Sequence, residues 1–186
     1  VNHLRSLQFE VRCGRAVIHP DFVMGRDPHQ VAEAIARAKR QGVSEELLSE
    51  LDGFTGAVGI WDSGRPGPVT AFRFDIDCVQ VGETSDPAHE ANAGGYASER
   101  PNLMHACGHD GHLAVGLGVA QWIKDHADQL CGKIKLVFQP AEEGTRGARP
   151  MAESGILDDV DFIVCTHIGS SVPLHQVAVC THGYLA

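Results

Sequence analysis

The stretch from Val160 to Thr166 is apolar almost throughout, interrupted only by Asp161. A strand that alternates apolar and polar residues can leave one face in water. This one has no face to leave there, so it predicts a strand in a sheet covered on both sides. Segments of helical periodicity precede it. Val31, Ala34, Ile35 and Ala38 recur at helical spacing over 28–41, where Asp27 is placed to cap, Pro28 suits the first turn and Gly42 follows the end. A short helix is predicted from Ser44 to Leu51. A longer one runs from Gly111 to about Asp128, with Leu113, Leu117, Ala120 and Ile123 along one face, and a short one from Arg146 to Ser154.

Strands fall between them. The period-2 alternation of Leu7, Phe9, Val11 and Cys13 predicts a half-buried first strand that the chain enters with almost no preamble, as at a cut end. Gly56–Trp61, Val69–Ile76, Lys133–Gln139, Val160–Thr166 and Gln176–Cys180 complete the set. Residues 62–68 read as a turn on composition, and 82–103 as a long ordered loop of the kind that usually carries function. Strands alternating with helices predict an α/β fold with a mixed, mainly parallel sheet flanked by helices. Sites in such sheets form beyond the carboxyl ends of the strands.

At 186 residues the chain is long enough to bury a core without staples. A formal charge of −9 argues against nucleic acid or an anionic membrane as a partner, and no apolar run approaches the roughly 20 residues of a membrane span. The six cysteines are scattered, several within apolar runs, which predicts free buried thiols and a reducing, cytoplasmic setting.

Four clusters carry chemistry. In His105-Ala106-Cys107-Gly108-His109-Asp110-Gly111-His112, a thiol and an imidazole two residues apart can face one side of an extended loop and hold a Zn²⁺-type ion. The same octet also fits a Cys–His nucleophile pair, or a polar loop capped by Asp110. Glu142 and Glu143, directly after a strand, point in different directions from one backbone, so one can bind a metal while the other acts as a general base. Alone, such a pair is more often a solvated turn. Asp75 and Asp77, at a strand end and facing one side, can ligate a metal or orient a ligating His, or simply start a turn. His167 also ends a strand, where a lone His is more often structural than a ligand. Together the four suit one or two divalent ions activating water, with a carboxylate to take the proton. The implied chemistry is hydrolysis of an amide or similar bond.

Met104–His112 and Phe138-Gln139-Pro140-Ala141-Glu142-Glu143-Gly144 resemble the dinuclear metal aminoacylase/amidohydrolase family, which includes hippurate and auxin-conjugate hydrolases. Residues 145–149, 158–161 and 167–169 resemble most its branch acting on p-aminobenzoyl-glutamate. The resemblance implies a zinc-peptidase-like catalytic domain. Cys107, His109, Glu143 and His167 would ligate Zn or Mn, up to two ions, with Glu142 as general base and Asp77 orienting the site. It implies cleavage of the amide of an N-acyl or N-aroyl amino acid, p-aminobenzoyl-glutamate first, with a broader N-acyl-amino-acid or auxin-conjugate hydrolase as the alternative. A non-enzymatic metal-binding module is the reading of a different class.

Family members are longer. They carry an inserted lid and dimerisation domain and a distal His ligand, and they form oligomers, in some cases with a second type of chain. Residues 1–186 are therefore expected to be a partial catalytic domain that ends before the lid and does not turn over substrate alone.

Overall fold

A computed structural model of the protein describes residues 1–169 and 172–179. Its elements are α1 (Asn2–Ser6), β1 (Glu10–Cys13), α2 (Pro28–Arg40), α3 (Glu45–Leu51), β2 (Ala57–Asp62), β3 (Val69–Asp75), α4 (Glu90–Gly94), α5 (His109–Asp125), β4 (Lys133–Gln139), α6 (Ala148–Ala152) and β5 (Phe162–Cys165). Local chemistry sets several boundaries. The Asp27 carboxylate accepts the His29 N–H at the start of α2, and the Ser44 hydroxyl accepts the Leu47 N–H at the start of α3.

The strands form one sheet in the order β1-β2-β4-β3-β5. β3 pairs parallel with both β4 and β5, while β2 pairs antiparallel with both β1 and β4. The sheet is thus mixed, as expected, but evenly divided rather than mainly parallel. Helices between strands do not by themselves fix direction: α2 and α3 separate β1 from β2, and these still pair antiparallel.

The core has two faces. Leu4, Phe9, Phe74, Ala120, Ile123, Leu136 and Phe138 pack on one side of the sheet. Val17, Ile18, Val58, Val137, Met151 and Ile156 pack on the other. The strand covered on both sides is therefore β4, buried at all but its first residue. β5 departs from expectation: Phe162, Ile163 and Val164 are 62%, 51% and 43% exposed. Among the described residues β5 pairs only with β3, so its apolarity states a need for cover without naming what supplies it.

Two other expectations shift. The first strand starts at Glu10, not Leu7, because Leu7 caps α1 and Gln8 turns the chain at φ 66°. α1 itself seats Leu4 in the core. α5 starts at His109, two residues early, and buries His109, His112, Gly116, Ala120 and Ile123, leaving Leu113 38% exposed. The helix approaches the sheet too closely at Gly116 for side chains there: a Cβ would lie 2.7 Å from the Phe138 ring and 2.8 Å from that of Phe74. Residues 82–103 hold only the short α4, and the Val79–Met104 bridge joins the segment's ends. Residues 176–179 form no strand, and Cys180 lies outside the described residues. Among the described residues no helix is long and apolar enough to cross a membrane.

Cys13, Cys78, Cys107, Cys131 and Cys165 are free, but only Cys13 is buried. The others sit at loops and on the open edge strand, so an apolar sequence neighbourhood did not mean cover. Burial, reinforced by the Glu50 carboxylate, pushes the Cys13 thiol up to about 11. Since the thiolate is the nucleophile, we expect Cys13 to resist iodoacetamide at pH 7.5 while Cys78, Cys131 and Cys165 are alkylated. Peptide mass spectrometry checks this, and rapid labelling of Cys13 in folded protein would contradict it.

Candidate metal centre

Every candidate residue lies past the carboxyl end of a parallel strand or at the helix that starts beside those ends. β3 delivers Asp75 and, two residues on, Asp77. β4 delivers the 140–147 loop with Glu142 and Glu143, and β5 delivers His167. Cys107 precedes α5 and His109 opens it, with Gly108 between them at φ 79°. It is this left-handed turn, not an extended loop, that brings the thiol and the imidazole to one side. In the 140–147 loop Ala141, Gly144 and Thr145 all have positive φ. Thr145 N–H donates to the Glu142 carbonyl at 2.8 Å and Arg146 N–H to that of Ala141 at 3.1 Å. The two glutamates do not point in different directions from this turn: both carboxylates come to lie beside His109 Nε2.

His109 is the centre of the arrangement, with its side chain 1% exposed. Its Nδ1 lies 3.1 Å from the Asp77 carbonyl and 3.2 Å from the Asp77 carboxylate. With the proton there, Nε2 carries a lone pair, and this buried nitrogen has no hydrogen-bond partner. Around it stand Asp75 Oδ1 at 3.7 Å, Glu142 Oε2 at 3.8 Å and Glu143 Oε1 at 3.9 Å. Cys107, His109 and Glu143 each offer a donor atom, all within 4.8 Å of one another. Cys107 Sγ is 3.5 Å from His167 Nε2. Asp77 braces two of these groups: its other oxygen accepts the Glu143 N–H at 3.0 Å.

A buried imidazole nitrogen left unpaired is costly unless something electrophilic meets it. The donors facing it are a thiol and carboxylates, which suits a divalent transition ion. Desolvation pushes the Cys107 thiol up, and the carboxylates of Glu143, Glu142 and Asp75 push it the same way. This concentration of negative charge calls for a cation, so the residues fit a metal.

His112 belongs to the octet but its sequence position gives it no role, and Arg73 does not stand out at all. The structure buries His112 against Asp75, with Nδ1 hydrogen-bonded to Asp75 Oδ1 and Nε2 accepting the Ile168 N–H at 2.8 Å. Arg73 donates to Asp75 Oδ2 at 2.6 Å and to Gln139 Oε1 at 2.9 Å. Burial alone pushes the Asp75 carboxyl up, but the His112 hydrogen bond and the Arg73 charge outweigh it and hold it below its ordinary value. A signal was available: His112 is one helical turn from His109, and Arg73 shares a strand face with Asp75.

Residues 71–182, more than half of the chain, match the sequence profile of Peptidase family M20/M25/M40. Over 160 residues the chain is 52% identical to a p-aminobenzoyl-glutamate hydrolase homolog of Haemophilus influenzae, covering 86% of this chain and 38% of that protein. Over 185 residues it is 46% identical to indole-3-acetyl-aspartic acid hydrolase of Enterobacter agglomerans, covering 98% of this chain and 42% of that one. The crystal structure of an aminobenzoyl-glutamate utilization protein from Klebsiella pneumoniae aligns with a TM-score of 0.73 at 44% identity, over 92% of this chain and 38% of that one. The chain spans about two fifths of the length of these curated relatives.

Proposed function

The chain belongs to peptidase family M20/M25/M40, and we propose that it is the metal-holding catalytic segment of an amidohydrolase that cleaves the amide of an N-acylated acidic amino acid. The observation that carries this reading is the buried, unpartnered His109 Nε2, turned toward a thiol and carboxylates. Cys107, His109, Glu143 and His167 hold Zn²⁺ or Mn²⁺, one ion or two. Such an ion supplies Lewis acidity to the scissile carbonyl and makes water a nucleophile near neutral pH.

The remaining work falls to the chain. Asp77 keeps the His109 proton on Nδ1 and fixes the ring. Glu142, about a third exposed beside His109, takes the proton of the attacking water and returns it to the leaving amine. The names of the two curated relatives specify amides of glutamate and of aspartate. This supports an acidic amino acid on the leaving side, with p-aminobenzoyl-glutamate as the first candidate and auxin conjugates or other N-acyl amino acids as the second. Residues 1–186 are then part of a catalytic domain whose substrate-closing lid lies elsewhere in the protein. Exposed free thiols on Cys78, Cys131 and Cys165 suit a reducing cytoplasm.

The test is an assay of the full-length protein on p-aminobenzoyl-glutamate, indole-3-acetyl-aspartate and N-acetylalanine, with Zn²⁺ or Mn²⁺ and with chelator. We expect the acidic amides to be hydrolysed and chelator to abolish turnover. Chelator-resistant turnover lost in Cys107→Ser would instead indicate a thiol nucleophile. Tight ion binding without turnover on any amide would indicate a metal-binding module.

A further inference from the structure

Both nitrogens of His112 are engaged, although the residue lies within reach of the donor cluster. A neutral imidazole has one donor and one acceptor. Since Ile168 N–H donates to Nε2, that nitrogen carries no proton, and the ring proton must sit on Nδ1, facing Asp75. His112 therefore has no lone pair left for an ion. Its role is in what it holds.

The β3–β5 register ends at Cys165. Three residues further on, Ile168 is tied back to α5 in two ways. Its N–H meets His112, and its side chain seats where α5 has no side chains: a Cβ on Gly111 would lie 2.7 Å from Ile168 Cδ1. The Ile168 carbonyl in turn accepts from His167 Nδ1 at 2.8 Å. That bond places the His167 proton on Nδ1 and leaves Nε2 as a lone pair, on the side where Cys107 Sγ stands 3.5 Å away.

We propose that Asp75 and His112 are a positioning pair that fixes Ile168 and, through it, the orientation and tautomer of His167. This rests on the reading of His167 as an ion ligand. Arg73 and Gln139 extend the chain of contacts across β3 and β4, so the pair is anchored to the sheet rather than to a loop. Asp75 and His112 are fully buried, which keeps water from substituting for either partner. Asp75 is then a positioning residue and not a ligand.

Asp75→Asn tests it. An amide in place of the carboxylate cannot satisfy both Arg73 and His112 Nδ1–H: one donor loses its acceptor. If the amide NH₂ turns to His112, the ring proton moves to Nε2 and faces Ile168 N–H, two donors together. In metal-free protein, long-range ¹H–¹⁵N correlation should show His112 protonated at Nδ1 in the wild type and at Nε2, or in mixture, in Asp75→Asn. Hydrogen exchange at the Ile168 amide should rise at least about tenfold, and Zn²⁺ affinity should fall about 10–100-fold, the usual effect of losing such a partner.

His112→Gln, whose side-chain oxygen can reach the place of Nε2, should retain more Ile168 protection and Zn²⁺ affinity than His112→Leu. This comparison carries the test if Asp75→Asn does not fold. A wild-type His112 protonated at Nε2, or Ile168 exchange equal in Gln, Leu and wild-type proteins, overturns the proposal. If the tautomer and exchange results hold while wild-type protein binds no Zn²⁺, the pair stands and the ligand reading of His167 fails.

Discussion

Glu142→Gln is expected to lower kcat by about 10²–10⁴-fold, the range that general-base catalysis contributes, while the bound ion stays. The amide keeps the size and shape of the side chain but cannot accept a proton from water. Glu142 and Glu143 are about equally exposed and flank His109 Nε2 at nearly equal distance, 3.8 and 3.9 Å. What separates their roles is bracing. The Glu143 backbone is tied to Asp77, which also holds His109, so Glu143 shares the rigid frame of the ligands. Glu143→Gln should accordingly lose ion content first and activity as a consequence. Metal analysis alongside steady-state kinetics separates the two variants. Loss of the ion in Glu142→Gln, with normal turnover per remaining ion, would mean that the roles are exchanged.

The second large effect is on stability. Phe74→Ala is expected to cost about 3–5 kcal/mol, the usual range for emptying an aromatic site in a core. At about 2–4 °C per kcal/mol for a chain of this size, the melting temperature should drop by roughly 6–20 °C. Phe74 is fully buried, its ring centroid 5.6 Å from that of Phe138, and both rings lie under Gly116 of α5. Removing the ring leaves a cavity between helix and sheet that rigid neighbours cannot close. The residue after it is Asp75, and the helix above carries His109 and His112, so the loss should also loosen the site. Gly118→Ala is the control: a Cβ there meets nothing within 4 Å, and replacing a mid-helix glycine should stabilise by roughly 0.5–1 kcal/mol. Calorimetry of both variants checks the pair. A Phe74→Ala protein melting within a degree or two of wild type would refute the packing account.

Much of the frame is legible from local chemistry. The Asp27–Pro28 start of α2, the Ser44 cap of α3 and the limits of β4 follow from residues that act on their immediate neighbours. What stays hidden depends on partners distant in sequence. The direction of β1 against β2 is set by pairing, not by either strand. On α5 Leu117, Ala120 and Ile123 face the core as their spacing implies. Apolarity favours Leu113 over Gly116, yet the glycine is what permits close approach to the sheet. β5 looks like a central strand because apolarity registers demand for cover and not its source. In the site, spacing within the octet brings out Cys107 and His109. Arg73 and His112 act through Asp75, and their contribution appears only once β3 and α5 are side by side.

The central claim is that Cys107, His109, Glu143 and His167 converge on a divalent ion. Cobalt(II) titration of the reduced protein under anaerobic conditions tests it directly, because the visible bands report coordination and a near-ultraviolet charge-transfer band reports thiolate ligation. We predict saturable binding with both signatures, loss of the charge-transfer band in Cys107→Ser, and loss of binding in His109→Ala with the fold retained by circular dichroism. No thiolate band in the wild type, or cobalt bound as tightly by His109→Ala as by the wild type, would contradict it.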